Sequence, residues 1–236
     1  MNTHIISPIG HIETPFKQKF AIPRQACLSS ALGTVVLNSE FDEHAIEGLS
    51  QFSHLWLLFL FSENIARGWK QQVKMPRLGG NQRTGVFASR STHRPNGIGM
   101  SAVKLNRIEV ADSKVKLWVE GVDLLHLTPI IDIKPYVNYS DCLTEATDQL
   151  DKLGSIANLA VNFSPLALAY LSQLPANFRT ECQQLICDVL KQDPRPAYKR
   201  SKIEDPKVYR VALYDFDITW RMLATGIEVV DIVPTG

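Results

Sequence analysis

The stretch GMSAVKLNRIEVADSKVKLWVEGV, residues 99–122, reads as two long strands joined by a tight turn. From Lys114 onward Val115, Leu117, Val119 and Gly121 fall on one side, and Lys116, Trp118, Glu120 and Val122 on the other. That period of two belongs to a strand with one face in a core. Residues 111–113 supply a hairpin turn back to a preceding strand at 99–110. Outward from this pair, residues 4–12, 33–37, 53–61 and 85–91 read as further strands, and residues 128–137 as another, interrupted by Pro135. A proline removes a ladder donor, so it marks an edge or a strand exit. Short spacings between strands predict an antiparallel, barrel-like β domain over residues 1–140.

The character changes after Tyr139. Residues 141–163 begin polar and acidic and read as a linker, and residues 164–236 as a small α+β domain. Ser164-Pro165 is a cap followed by a proline in the first turn, which predicts a helix over 166–174. Thr180 and Gln183 have capping-box spacing ahead of Leu185, Ile186, Val189 and Leu190, and Asp193-Pro194 stops that helix. Residues 208–223 and 227–233 read as two closing strands around Ala224-Thr225-Gly226. The expected class is therefore mainly β, with an N-terminal antiparallel barrel and a small C-terminal α+β domain.

The chain has 236 residues, 45% of them hydrophobic, enough for a sizeable core. Residues 1–10 lack the pattern of a secretory leader, and the apolar run 55–61 is far short of the ~20 residues that span a bilayer, so a cytoplasmic protein is expected. The four cysteines form no C-x-x-C pair and signal neither zinc nor a redox dithiol; no metal is expected. Formal net charge is only +1, but the charge is segregated. Residues 64–108 contain no Asp or Glu, while Arg67, Lys70, Lys74, Arg77, Arg83, Arg90, Arg94, Lys104 and Arg107 lie among them. Lys191, Arg195, Lys199, Arg200 and Lys202 form a second cluster. Local positive charge attracts phosphates whatever the total, although a merely solvated basic face has the same composition.

Glycine-rich dinucleotide and P-loop signatures, H-E-x-x-H and the G-x-S-x-G elbow are all missing, which counts against the common dehydrogenase, phosphotransferase and hydrolase chemistries. What remains is PRLGGNQRTGVFASRSTHRPNGIGMS, residues 76–101, where Arg83, Arg90 and Arg94 stand among glycines that leave backbone amides open to an anion.

With its continuation AVKL and with VDLLHLTPIIDIKPYVNYSD, that segment resembles the signature of the TsaA-like, TrmO family of transfer RNA methyltransferases; QDPRPAYKR and YRVALYDFDITWRM resemble the family's C-terminal region. The resemblance covers nearly the whole chain in order. It implies a β-barrel S-adenosylmethionine domain rather than a Rossmann fold, a homodimer, and methylation of N6 of threonylcarbamoyladenosine beside the anticodon. It places cofactor contacts at Pro23, Arg24, Gln25, His54, Leu55, Arg90, Met100, Asp123, Leu124, Leu125 and His126. Each has a plainer alternative: a packed histidine, surface ion pairs for Arg24 and Arg90, core filling for Met100, a turn for Asp123. Two positions depart from the family pattern. His126-Leu127 stands where Asp-Gly is common, and Gly97 where proline is common in Asn-Pro-Ile-Gly.

For the methyl transfer itself, Asp132, Lys134 and Tyr136 are candidates for assisting removal of the N6 proton. Arg83 and Arg94 are candidates for gripping the substrate's threonyl carboxylate, and Arg195, Tyr198, Lys199 and Arg200, with Tyr209 and Trp220 nearby, for contacting RNA. Competing readings are a non-catalytic RNA-binding or cofactor-sensing module, and a hydrolase using His93 with Ser89 or Ser91.

Overall fold

The computed structural model describes residues 4–74, 82–112, 114–148, 156–196, 199–200, 202 and 204–235. β1 (Gly10–Glu13), β2 (Leu32–Leu37) and β3 (His54–Leu60) come first. A short helix α1 (Ser62–Ile65) then leads to a two-stranded ribbon, β4 (Gln72–Lys74) and β5 (Arg83–Gly85). The chain returns as β6 (Ile98–Ala111), β7 (Lys114–Glu120) and β8 (Thr128–Pro135). Six of these strands close an antiparallel barrel in the order β1-β2-β7-β6-β3-β8. The alternation read from the sequence is what fills it: Leu55, Leu57 and Phe59 of β3 and Val115, Leu117 and Val119 of β7 are all buried. Pro135 is the last residue of β8, at a strand exit.

Closure orders the connections. Glu13 pairs with Thr34, Leu32 with Glu120, Leu60 with Ile98, and Ile12 with Thr128. The segments 14–31, 61–97 and 121–127 therefore leave from the same rim of the barrel.

After α2 (Asn138–Asp141), the second unit comprises β9 (Val161–Phe163), α3 (Pro165–Ser172), α4 (Ala176–Leu190), β10 (Asp205–Leu213), β11 (Phe216–Leu223) and β12 (Gly226–Pro234). Its sheet runs β10-β11-β12-β9, with β9 parallel to β12. This bears out a mainly β chain carrying a small α+β unit. The Ser164 hydroxyl accepts from the Ala167 amide at 3.1 Å and donates to the Val230 carbonyl at 2.6 Å, so the expected cap also ties α3 to the sheet.

Several local expectations need correction. β9 lies inside the stretch read as linker, because three residues suffice once β12 offers a free edge. Residues 85–91 are not a strand: β5 ends at Gly85 and a 3₁₀ turn, Val86–Ala88, follows, closed by the Ser89 hydroxyl on the Val86 carbonyl. Residues 208–223 are two strands, separated by a turn in which Tyr214 adopts φ 53°, a conformation its side chain does not announce. Thr180 caps nothing. α4 already starts at Ala176, after Pro175, and the Thr180 hydroxyl bonds back to the Ala176 carbonyl.

The two units share one apolar core and a polar seam. Asp188 of α4, 3% exposed, accepts from the Ser30 amide at 3.0 Å and the Ser30 hydroxyl at 2.9 Å. Gln184 and Lys191 donate to its other oxygen. Gln192 reaches the Leu28 carbonyl at 3.0 Å, and the Tyr214 amide the Pro15 carbonyl at 2.8 Å. The C-terminal unit is thus built into the connection 14–31. Burial alone would raise the Asp188 carboxyl, but the bonds from Lys191 and Ser30 outweigh it and hold the group below its ordinary value.

Replacing Asp188→Ala is expected to cost about 2–4 kcal/mol in urea denaturation, the range for losing charged hydrogen bonds at a buried carboxylate. A folded pKa below the unfolded one gives stability that is present above about pH 4 and lost as pH falls through the folded value. The wild-type advantage over Asp188→Ala should therefore shrink on acidification below about pH 4.

Candidate functional site

The rim gathers three segments distant in sequence. Gly121, φ 80°, ends β7 in a left-handed conformation that glycine adopts without strain, and an added Cβ would sit 3.3 Å from the Ala26 carbonyl oxygen. That turn carries Asp123 beneath the 3₁₀ turn Ala26–Leu28. There the Asp123 carboxylate accepts from the Ser101 hydroxyl at 2.6 Å and from the Ala26 amide. From the third segment the Arg90 guanidinium donates to the Gln25 side-chain carbonyl, close enough to Asp123 to act on its charge. Arg94 fixes the backbone that presents Arg90, donating to the Ser89 carbonyl at 2.8 Å and the Val86 carbonyl at 3.3 Å.

Electrostatically the pair is unequal. Arg90 is exposed, whereas desolvation dominates at Asp123 and raises its pKa despite Ser101, its own amide, Arg90 and the Ala26 amide. A partly desolvated carboxylate with its donors already aimed, beside an open guanidinium, suits a ligand that carries both charges. Next to it, Phe20, Ile22, Pro23 and Arg24 face Val189, Gln192, Asp193 and Pro194 across a small cleft of about 80 Å³ between the two units.

Arg24, Gln25, Arg90 and Asp123, proposed from the sequence, thus stand on one rim. Leu55 and Leu124 are fully buried core residues, side chain and backbone alike. The Leu125 carbonyl accepts from Thr128, and His126 Nδ1 accepts from the Thr14 amide at 3.1 Å. Burial and then Lys17 lower the His126 pKa, keeping it neutral in a structural role. Leu127 keeps φ 62° without the family's glycine, at a strain of about 1–2 kcal/mol. Gly97 also has φ 62°, closed to the Arg94 carbonyl, so this turn is a different one from any that proline could form.

A second group lies apart from the rim cluster. On β3 the inward residues are Leu55, Leu57 and Phe59, so His54, Trp56 and Leu58 face outward. Across the ladders Leu58 stands between Met100 and Asp132, and Trp56 between Ala102 and Lys134. Tyr136 packs on Trp56 and His54, at ring distances of 5.5 and 6.2 Å. His54, Met100, Asp132, Lys134 and Tyr136 therefore share the outer face of β6-β3-β8, and Met100 is exposed rather than core filling. Asp132 and Lys134 are 4.0 Å apart and both open to solvent, the plain strand-surface ion pair.

The C-terminal basic residues are corrected most. Arg195, 3% exposed, is bidentate to Asp193, so its charge is spent inside the unit. Lys199 binds Asp205 and the Tyr209 hydroxyl, each at 3.0 Å. Tyr209 stacks on the wholly buried Trp220 with rings 4.7 Å apart, which removes both from contact with a base. Desolvation lowers the Arg200 pKa. Tyr198 lies outside the described residues. The hydrolase reading loses its nucleophiles: Ser89 donates to Val86, the Ser91 hydroxyl accepts from the His93 amide, and His93 Nδ1 faces Thr92. Sequence reasoning missed Ser101, whose one signal is that a polar residue occupies an inward position of a strand. It also missed Asp188 and Gln192, which nothing in the sequence connects to residues 28–30.

Comparison with known proteins identifies the family to which both units belong. Residues 11–142 match the tRNA-methyltransferase O N-terminal domain and residues 156–235 the TrmO C-terminal domain. A tRNA (adenine(37)-N6)-methyltransferase of Escherichia coli is 41% identical over 236 residues, covering 99% of this chain and 100% of the relative. One of Eikenella corrodens is 37% identical over 183 residues, 77% of this chain and 97% of that one. The crystal structure of TrmO from Pseudomonas aeruginosa superposes with a TM-score of 0.80 at 38% identity, covering 99% of this chain and 98% of the other.

The raised Asp123 pKa makes a signed prediction for the ligand-free protein. Where the folded pKa exceeds the unfolded one, near 3.9, the native state binds more protons, so stability falls as pH rises from about 4 through the folded value. In thermal melts Asp123→Asn is expected to lose that fall, narrowing or reversing any deficit against wild type as pH rises. An identical pH profile for the two proteins would contradict the desolvated carboxylate.

Proposed function

The chain belongs to the tRNA-methyltransferase O family, and on that premise we propose that it methylates N6 of adenosine 37 in tRNA, in the threonylcarbamoyl form of that nucleoside, from S-adenosylmethionine. The observation that carries this reading is the rim cluster, where Gln25, Arg90 and Asp123 converge from three segments onto Ser101 of β6 in a chain matched to both family domains. A β-barrel site replaces the Rossmann cofactor site.

The residues present fit that cofactor. It is zwitterionic and carries ribose hydroxyls, and the rim offers a guanidinium for a carboxylate and a carboxylate for hydroxyl or ammonium donors. When bound, S-adenosylmethionine supplies an electrophilic methyl group on a sulfonium. Arg90 and Asp123 orient it, with Pro23, Arg24 and Gln25 closing one side. Orientation is the main requirement, because an in-line transfer to nitrogen gains most from alignment and from exclusion of water. Arg94, which also holds the Arg90 loop, remains the cation for the substrate's threonyl carboxylate.

Homodimerisation completes the reading. His54, Met100, Asp132, Lys134 and Tyr136 lie on an outer face with half-buried Trp56 and Leu58, the opposite face of the barrel wall from Ser101. A second copy laid on this face brings these groups to the partner's rim, which gives Asp132, Lys134 or Tyr136 access to the N6 proton. With no helix among the described residues long and apolar enough to cross a membrane, we place the protein in the cytoplasm with its tRNA.

Mass spectrometry of tRNA nucleosides after incubation with protein and S-adenosylmethionine should show a methyl gain on threonylcarbamoyladenosine; no gain on correctly premodified tRNA overturns the proposal. In calorimetry Arg90→Ala should weaken cofactor binding by about 1.5–3 kcal/mol, the worth of a charged hydrogen bond, while Lys116→Ala on β7 should change it little. Arg90→Ala and His54→Ala, each inactive alone, should recover about a quarter of wild-type activity when refolded together, as expected of a two-fold dimer in which one site per mixed pair is intact. Recovery of none would place both residues in one protomer's site.

A further inference from the structure

The connection between β3 and β6 carries features that the cluster at Arg90 does not use. β4 and β5 form a ribbon in which Lys74 is the direct cross-strand partner of Arg83, both exposed. Like charges placed opposite each other destabilise a strand pair, so this arrangement is favourable only with an anion nearby. The ribbon extends by one rung, the Val86 amide to the Gln71 carbonyl at 2.9 Å, which sets Trp69, two residues before that rung, and Phe87, in the 3₁₀ turn after it, at its base. Trp69 is 50% and Phe87 78% exposed. Large rings are seldom left this open on a surface without a partner. Phe87 is three residues from Arg90, so the ribbon's base leads straight to the rim cluster.

From this placement we infer that the β4–β5 ribbon is the RNA platform: Lys74 and Arg83 hold backbone phosphates while Trp69 and Phe87 stack on unpaired bases next to the target nucleotide. The inference rests on the tRNA reading above and adds the surface by which the loop is presented. Charge complementarity selects the occupant. Residues 64–108 hold no carboxylate side chain, which suits a polyanion, and two rings beside paired cations are what a single-stranded loop with splayed bases requires. Of the C-terminal cations, Arg195 and Lys199 are paired with Asp193 and Asp205, whereas Lys74 and Arg83 stand exposed on the ribbon.

The test is fluorescence anisotropy with a labelled tRNA anticodon stem-loop on the full chain, with cofactor binding measured in parallel by calorimetry. Trp69→Leu and Phe87→Leu keep apolar bulk but lose the ring face, and each should weaken RNA binding by about 5- to 150-fold with an unchanged salt slope. Lys74→Ala and Arg83→Ala should each flatten the log–log salt slope by about 0.7. Cofactor affinity should stay at the wild-type value in all four. Excited at its red edge, tryptophan emission should fall on RNA binding in wild type and much less in Trp69→Leu. If the two aromatic variants bind RNA as wild type does, or if they change the oligomeric state without RNA because a second copy covers the patch, the inference is overturned. Wild type that fails to methylate tRNA while the variants still lose RNA affinity would overturn the proposed reaction and leave the platform standing.

Discussion

Closure of the barrel through β1, a strand of four residues, is the constraint on which the rest of the molecule depends. β1 must bond β2 on one side and β8 on the other at once, and Gly10 permits it, since a Cβ there would lie 2.2 Å from the Val36 carbonyl oxygen. A closed sheet has no free edge to protect. It also fixes which connections share a rim, and so brings residues 14–31, 61–97 and 121–127 together although nothing local holds them near one another. The site is a consequence of topology before it is one of side chains.

On that rim the protein maintains an unfavourable arrangement. Asp123 is desolvated enough to raise its pKa, and its neighbours only partly offset the loss of water. Such a group costs stability in the ligand-free state, and it gains most when a ligand supplies the missing partners. Leu127 in a left-handed conformation adds local strain on the same loop. Support comes from the other unit, because Asp188 and Gln192 of the C-terminal region hold Ser30 and Leu28 next to the turn that covers Asp123. A truncation after the barrel would therefore strip the loop over Asp123 of its anchor as well as removing an appendage.

Charge divides along the same lines. Both basic clusters look alike in the sequence, yet Arg195 and Lys199 are balanced by Asp193 and Asp205, and the pKa of Asp205 falls well below the carboxylate range, first through the Tyr209 hydroxyl and then Lys199. The cations between residues 64 and 108 have no acidic residue in their own stretch to cancel them. Opposite charges close in sequence find each other on folding, and what remains as a field is the cluster that lacks them.

By itself the sequence determined whatever repeats at short range. The alternation of Val115, Leu117 and Val119 gave the strand and its inward face, Ser164-Pro165 gave the start of α3, and the long motif around Arg90 gave the family. It did not reveal the turn at Tyr214, where a left-handed residue carries none of the usual turn chemistry, or the 3₁₀ turn at Val86–Ala88, which a hydroxyl closes from outside the apolar pattern. Only the tertiary structure decided that Leu55 and Leu124 are core, that Arg195 is internal, and that His54 and Tyr136 share an outer face away from Arg90. The reason is physical: periodicity reports which face of an element turns inward, whereas barrel closure and the pairing of buried charges depend on partners up to more than a hundred residues away, such as Ser30 and Asp188.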